Sequence, residues 1–470
     1  MLHLYDTRTR TAQAISPMDG KTLRFYCCGP TVYGPAHIGN FRTFVMQDVF
    51  RRVLELGGVP TTHIRNLTDV DDKTIRDSQK AGVSLAEFTA GWADLFHRDC
   101  AALNCLPPHA EPSAVGHIPE QIRMVQILVE KGHAYVSEDG SVYFRISSFP
   151  EYGRLSHLDE RELDLGKTAN TRSNADEYEK DSVADFVLWK SRRPEDGDNF
   201  WPSPWGEGRP GWHLECSAMI HKYFGNDFDL HSGGVDLVFP HHENEIAQSE
   251  AATGKPFARY WMHNGYINVD NQKMSKSLGN FRLVRDIAQE FDLEAVRLFL
   301  LSAQYRNPIN FTRELIEQAN TALTRIRTAR ERLAEAKEGP ATEEDARFCA
   351  SLEEHEKKFC DAMDDDLNTA DALGAMFDYA RAVNTFVTEP RSKEALERAA
   401  KLFDDMTNVL GILQHSKSEE FPKEAVALLN ERAEARKAKN WARADQIREE
   451  LKAMGFAVED SKEGAKLKRL

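Results

Sequence analysis

The sequence predicts an α/β fold: a doubly wound domain with an insertion split into it, followed by an all-α bundle and a small C-terminal module. Three observations carry this reading. Strand and helix patterns alternate up to about residue 127, hairpin signals interrupt them from about 128 to 205, and strand signals almost vanish beyond 310. A chain of 470 residues has ample material for several domains. Its seven cysteines, an odd number spread over a long chain, argue against a disulfide framework and for a reducing compartment. The N-terminus lacks a basic region followed by an apolar core, and no run of about 18 apolar residues occurs. A cytoplasmic protein with no membrane partner is therefore expected. The net charge of −15 confines any RNA site to a local basic face.

The first element is the run Leu23-Arg24-Phe25-Tyr26-Cys27-Cys28, which reads as a strand. Gly29-Pro30-Thr31 breaks it, and Gly39-Asn40-Phe41-Arg42-Thr43-Phe44-Val45 opens an amphipathic helix. A strand running into a helix N-terminus makes a phosphate site, because free N–H groups and the helix dipole face the ligand. His37 and Asn40 stand at its mouth as donors. No GxGxxG or Walker A pattern accompanies the strand, which argues against a dinucleotide or P-loop site.

Ile122 to Val129 reads as a helix, and Tyr135-Val136 and Val142-Tyr143-Phe144 flank Asp139-Gly140 as a hairpin leading into a polar stretch. The α/β pattern then resumes through Gly211-Trp212-His213-Leu214-Glu215-Cys216 and Phe239-Pro240-His241-His242-Glu243-Asn244-Glu245. Proline before the histidines suggests a helix start, which would set His241 and Glu245 on one face, four residues apart. With Cys28 and Cys216 they complete a tetrahedral zinc shell of two thiolates, one imidazole and one carboxylate. His242 is an alternative to His241, or a partner outside the ligand set. Isolated cysteines are also common as small buried hydrophobes, so this reading competes with plain packing. Farther on, Lys273-Met274-Ser275-Lys276-Ser277 is a cationic loop suited to a polyphosphate whose bond is breaking. Together with His37 it points to adenylate chemistry.

Beyond 310, Leu315, Ala319, Ala322, Ile326 and Ala329 fall at helical spacing, and Gly339-Pro340 marks a break before further amphipathic helices. The stretch from Asp361 to Asp378 is acidic, so any RNA contact must use another face, such as Arg325, Arg327, Arg330 and Arg332. In the last segment Arg432, Arg436, Lys437, Lys439, Trp441 and Arg443 combine cations with an aromatic, a composition suited to stacking on bases; packing of Trp441 on the bundle is the alternative.

The pair of runs resembles the class I aminoacyl-tRNA synthetases, whose signatures are a His-Ile-Gly-His element and a Lys-Met-Ser-Lys-Ser loop. This chain matches the second completely and the first in three of four positions, with Asn40 where the family usually carries histidine. An amide donates a hydrogen bond but cannot become cationic. The blocks Cys28-Gly29-Pro30-Thr31-Val32-Tyr33, Asn66 to Lys73, Trp212 to Ser217, His231 to Leu237 and Pro240 to Glu245 are similar in wording and order to those of the cysteinyl-tRNA synthetase family. The resemblance implies a Rossmann-like class I catalytic domain, ATP with Mg²⁺, L-cysteine and tRNA(Cys) as partners, one Zn²⁺ per chain on Cys28, Cys216, His241 and Glu245, and a monomer. It implies catalytic roles for His37, Asn40, Lys273 and Lys276, ATP contacts from His37, Gly39 and Lys276, and a cysteine pocket at Thr68, Trp212 and His231. Ordinary core packing is the alternative for Trp212.

The same resemblance divides the chain. It implies a catalytic first half over 1–127, an acceptor-end insertion over 128–205, a second half with the zinc ligands over 206–250 and a stem-contact region over 251–310. A tRNA-binding bundle follows over 311–415 and an anticodon module over 416–470, whose contacts fall on Arg432, Arg436, Lys439, Trp441 and Arg443. The tail lacks the tryptophan expected near position 467. Two other functions share these residues: a ligase joining cysteine to a small amino-sugar, and a catalytically silent RNA-binding paralogue.

Overall fold

The computed structural model describes residues 1–158, 185–274, 280–414, 423–438, 440–454, 456–461 and 464–469. They form two compact units, Met1–Gln414 and His415–Leu470. At the centre of the first lies a four-stranded parallel sheet of β1 (Leu23–Cys27), β2 (Thr61–Arg65), β3 (Phe228–Gly234) and β4 (Ala258–Asn264), in the order β4-β3-β1-β2. Its strands are buried almost throughout, as a parallel sheet covered on both faces requires. From β1 the chain passes outward to β2 and later returns to β3 on the other side of β1, so the order reverses between β1 and β3. Such a reversal leaves a crevice beyond the carboxyl ends of the two strands. Helix α1 (Ile38–Leu56) follows β1 and buries Phe41, Phe44, Val45, Val49 and Phe50 in the main core.

Helix α2 (Ile118–Glu130) covers the run expected to be helical and leads into a five-stranded antiparallel sheet. Its strands are ordered 134–136, 142–144, 186–191, 206–210 and 201–203. The hairpin at Asp139-Gly140 forms, with Tyr135 opposite Tyr143, Gly140 at φ +82° and the Asp139 carboxylate accepting from the Ser141 N–H at 3.0 Å. Much of the polar stretch expected after it lies outside the described residues. The chain returns to the parallel sheet through α3 (Trp212–Phe224) and α4 (Glu243–Thr253), the latter preceded by a π-turn over Val238–His242.

Helices α5 (Leu293–Leu300), α6 (Arg313–Ala334), α7 (Glu343–Asp364), α8 (Thr369–Phe386) and α9 (Lys393–Leu410) build the all-α part. The apolar stripe of α6 is Ile316, Ala319, Leu323, Ile326, Ala329 and Leu333, which corrects the expectation at two positions: Leu315 is exposed and Ala322 only half-buried. The larger side chains of Ile316, Leu323 and Leu333 set the face, and a stripe begun one residue early misses them. The arginine row is also not a free basic face. Arg327 reaches Asp292 and Glu294 at 3.2 Å, Arg330 clasps Asp404 at 2.7 and 3.0 Å, and Arg332 meets Asn384 at 3.3 Å. Arg325 lies over the Phe377 ring, 5.5 Å from its centre. These cations hold the bundle to itself. Within the acidic stretch, Asp366 accepts from the Tyr5 N–H, the Tyr305 hydroxyl and Arg306 Nε at 2.7–2.8 Å, so it too is an internal group.

A buried arginine locks the bundle onto the catalytic half. Arg297 on α5 is wholly inaccessible; its Nη2 meets Asp48 of α1 at 2.5 Å, and its Nη1 and Nε donate to the Leu103 and Leu410 carbonyls at 2.8 and 2.7 Å. A Cβ on Gly411 would lie 2.3 Å from Arg297 Nη2, so glycine is needed where α9 ends. In the second unit, helices Lys423–Lys437 and Trp441–Ala453 and the hairpin Phe456–Ser461 with Gly464–Arg469 close on Ala425, Ile447, Leu451, Phe456 and Val458. Asp48 also accepts from Arg52 Nε and from the Leu106 N–H, each at 2.8 Å, so it stays partly paired when Arg297 is removed. Stranding a buried charge outright costs about 3–5 kcal/mol; the Arg297→Ala variant should lose less than that in denaturant unfolding of the first unit, and an unchanged midpoint would show that Arg52 and Leu106 satisfy Asp48 alone.

Candidate active site and metal-ligand cluster

The first signature lies at the start of α1, and the chain that follows the second returns to it. His37 is its N-cap, in extended backbone at φ −100° and ψ 166°, and the Asn40 side-chain oxygen accepts from the His37 N–H at 3.0 Å. That bond commits the amide oxygen of Asn40 to the cap and leaves its NH₂ as the outward donor from an exposed position. Lys273 closes a two-residue strand, Gln272–Lys273, paired with Ile267–Val269. Lys276 lies outside the described residues. On the far side of the loop the chain returns to α1: the Ile38 N–H donates to the Arg282 carbonyl at 2.9 Å, and Leu283 bridges His37. Met274, on the near side, packs against the main core.

A second group lies where β1 ends. Ligand atoms of Cys28, Cys216, His241 and Glu245 all fall within 4.8 Å of one another and all four residues are buried; Cys28, His231, His242 and Glu245 form an overlapping set. Cys28 follows β1, Cys216 lies on α3, and the π-turn and α4 carry His241 and Glu245 on one face, with His241 Nε2 2.9 Å from Glu245 Oε1. The two sulfurs stand 3.9 Å apart, and Cys28 Sγ is 3.7 Å from Glu245 Oε1. The other carboxylate oxygen meets His231 Nε2 at 2.8 Å. His242 Nε2 lies 3.3 Å from Cys28 Sγ while its Nδ1 meets His263 Nε2 at 2.7 Å, and His263 Nδ1 meets the Thr7 hydroxyl at 2.7 Å.

Burial and these neighbours set the charges. Burial pushes the Cys28 thiol well up, aided by its hydrogen bond to Cys216 and the charge there. At Cys216 burial acts the same way, but hydrogen bonds from Cys28 and His241 outweigh it and bring the thiol down to about 6. Burial also works against the His241 imidazolium, yet Glu245 and Cys216 hold its proton and raise it to about 10. Glu245, despite burial, is held at about 2 by His231 and His241. Burial leaves His213 and His242 well below the usual imidazole range and His263 at about 3, so these three are neutral. The proton on His241 thus offsets one of two anions, a thiolate and a carboxylate, and leaves the set anionic, an environment suited to a divalent cation.

Two of the three expected pocket residues, Trp212 and His231, touch this cluster, and Thr68 meets Glu215, the neighbour of Cys216. Trp212 is half-buried and stacks on His241 with ring centres 4.3 Å apart. The Thr68 hydroxyl donates to Glu215 at 2.8 Å and accepts from Asn66 Nδ2 at 3.3 Å, and His231 stacks on Trp261 at 4.8 Å. The sequence reading did not single out His213, His263, Glu215 or Thr7. His213 and Glu215 flank recognised residues and could have been found there; His263 on β4 and Thr7 near the N-terminus have no local signal, since only the sheet order brings them in. In the second unit Trp441 is 58% exposed and Arg436 is exposed, while Arg432 is buried and Arg443 pairs with Glu431 and Glu450 at 2.8 Å. Lys439 lies outside the described residues.

Three family models match in series: "tRNA synthetases class I (C) catalytic domain" over residues 14–321, "DALR domain" over 358–414 and "Cysteinyl-tRNA ligase anticodon binding domain" over 418–466. The chain is 46% identical to a cysteine-tRNA ligase of Caldicellulosiruptor saccharolyticus, with 100% of both chains covered. The chain belongs to the cysteine-tRNA ligase family. Another member, from Opitutus terrae, is 48% identical over 99% of this chain and 98% of its own. Among solved structures, Mycobacterium tuberculosis methionyl-tRNA synthetase in complex with methionyl-adenylate aligns with a TM-score of 0.58 at 15% identity, covering 83% of this chain and 89% of that one. A LeuRS–tRNA complex of Agrobacterium radiobacter gives 0.61 at 12%, covering 83% and 84%. These likenesses establish the class I synthetase fold of this family member. Among the described residues no helix is long and apolar enough to cross a membrane.

Proposed function

We propose that the protein activates L-cysteine with ATP and Mg²⁺ to cysteinyl-adenylate, and passes the acyl group to the 3′-terminal adenosine of tRNA(Cys). Cys28, Cys216, His241 and Glu245 would hold one Zn²⁺, which would select the substrate by its thiol. The observation that carries this reading is the convergence of two buried sulfurs, an imidazole and a carboxylate within 4.8 Å of one another at the carboxyl end of the central strand. The soft, anionic donor set suits zinc, and when bound the metal would accept the substrate thiolate and favour sulfur over the hydroxyl of serine. A pocket working by size alone would separate such near-isosteres only about 10–200-fold.

His231 and His242 are read as partners outside the ligand set. His231 steadies the second oxygen of Glu245, and His242, its Nδ1 engaged by His263, presents Nε2 to the Cys28 sulfur. Trp212 walls the cysteine side chain, with Thr68 and His231 offering hydrogen bonds around it. The substrate carboxylate needs no base to attack the α-phosphorus, so the protein's work is positioning and charge stabilisation. The dipole of α1 favours phosphate, His37 and Asn40 act as donors beside Gly39, and Lys273 and Lys276 bear on the departing pyrophosphate. In this reading the insertion of 128–205 approaches the acceptor end, 251–310 and the bundle of 311–415 contact the tRNA body, and 416–470 reads the anticodon with Trp441 and Arg436 as its exposed candidates. A cytoplasmic monomer goes with it. A ligase for a small amino-sugar would have no use for the anticodon-domain match over 418–466, and a silent paralogue none for an intact donor set.

Incubation with ATP, Mg²⁺, labelled cysteine and total bacterial tRNA should yield acid-precipitable, base-labile label that serine does not produce. Cysteine-dependent pyrophosphate exchange without label on tRNA would hand the site to the small-acceptor reaction, and two blank assays to the silent one. Metal analysis should find about one zinc per chain by the four-ligand argument. Cys216→Ser should abolish retention against a chelator, whereas His242→Ala should weaken it by about 10–100-fold at most; the reverse pattern would assign the overlapping set instead.

A further inference from the structure

His37, the residue assigned to the phosphates, is a half-buried N-cap of α1. The segment after the lysine run packs against its ring. The Phe281 ring stacks on the His37 imidazole with centres 4.9 Å apart and planes 19° apart. On another side the imidazole lies against Gly39, where an added Cβ would come within 2.9 Å of His37 Nδ1 and 3.0 Å of Cε1. Only glycine leaves that space. Phe281 in turn is not on a wandering chain: its neighbours Arg282 and Leu283 are tied to the start of α1 by the Ile38 N–H to Arg282 bond at 2.9 Å and the bridge from Leu283 to His37.

We propose that Phe281 is a positioning residue for adenylate formation, holding the His37 ring between its own face and the Gly39 backbone so that one orientation is presented to ATP. The inference rests on the reading of His37 given above and deepens it. An imidazole at a helix cap otherwise samples several staggered rotamers, and each ring held off the productive one dilutes its contribution. A stacked pair of rings adds a restraint that occupies no ring nitrogen. It also gives a reason for an aromatic at position 281, directly after Asn280 and outside the lysine signature itself.

The test is a double-mutant cycle read in the single-turnover rate of cysteinyl-adenylate formation. Phe281→Ala and Phe281→Leu should each slow that step by roughly 2- to 13-fold, the range of an aromatic pair, with the KM for cysteine unchanged. Phe281→Tyr should restore it. In the His37→Ala background Phe281→Ala should cost nothing further, because the group it positions is gone. Leucine keeps apolar bulk without a stacking face, so a slow, normally folded Phe281→Leu variant separates positioning from packing. Equal losses in both backgrounds, or full activity of Phe281→Leu, would overturn the inference while leaving His37 in place. A His37→Ala enzyme as fast as wild type would instead remove the phosphate role of His37, and this inference with it.

Discussion

Everything around the crevice answers one constraint: two thiols, an imidazole and a carboxylate are buried together, and such groups are costly away from water unless something balances them. Glu245 lies at the centre. One of its oxygens faces His241 and Cys28 and the other faces His231, so a single side chain neutralises one histidine and orients another. The proton that these anions hold on His241 offsets one of the two negative charges and leaves the other. A divalent cation bound there would displace that proton and relieve the same imbalance more completely, as ligands that must be deprotonated imply. The neutral imidazoles of His213, His242 and His263 then form a shell that hydrogen-bonds without adding charge.

The fold makes this burial possible by drawing donors from separate segments to one end of the sheet. Cys28 and His37 follow the central strand β1, His231 and His263 sit on β3 and β4, and Cys216 and Glu245 come from the helices that pack over them. Cys28 and His37 are thus nine residues apart in sequence, both beyond the carboxyl end of β1. The buried Arg297 to Asp48 pair extends the same logic outward, because Asp48 lies on α1 and the carbonyl of Leu410 ends the bundle. The helix that presents His37 is therefore anchored to the all-α half of the same unit.

Much of this was legible in the residues. The strand-to-helix turn at His37, the hairpin at Asp139-Gly140 and the His241–Glu245 pair depend on local spacing, and local spacing is what a sequence displays. Side chains that act across the sheet were not legible: His263, Thr7 and Phe281 carry no motif, and they matter only because β4, the N-terminal segment and the return from the lysine run each bring one of them to the site. The α6 stripe failed by one residue because small alanines blur a helical face, and the arginines beside it look like an RNA surface until Asp292, Glu294 and Asp404 are brought opposite them. Charge in a sequence says nothing of its partner. The histidines were harder still, since their surroundings leave His241 protonated and its neighbour His242 neutral.

The central claim, that a metal on this cluster takes the substrate by its sulfur, is tested most directly by X-ray absorption at the zinc edge of the zinc-loaded protein, with and without cysteine. The account predicts two sulfur neighbours from Cys28 and Cys216 at about 2.3 Å. Cysteine should bring a third and serine should not. A sulfur count unchanged by saturating cysteine would contradict it, leaving the cluster a structural site and the choice of amino acid to be made elsewhere.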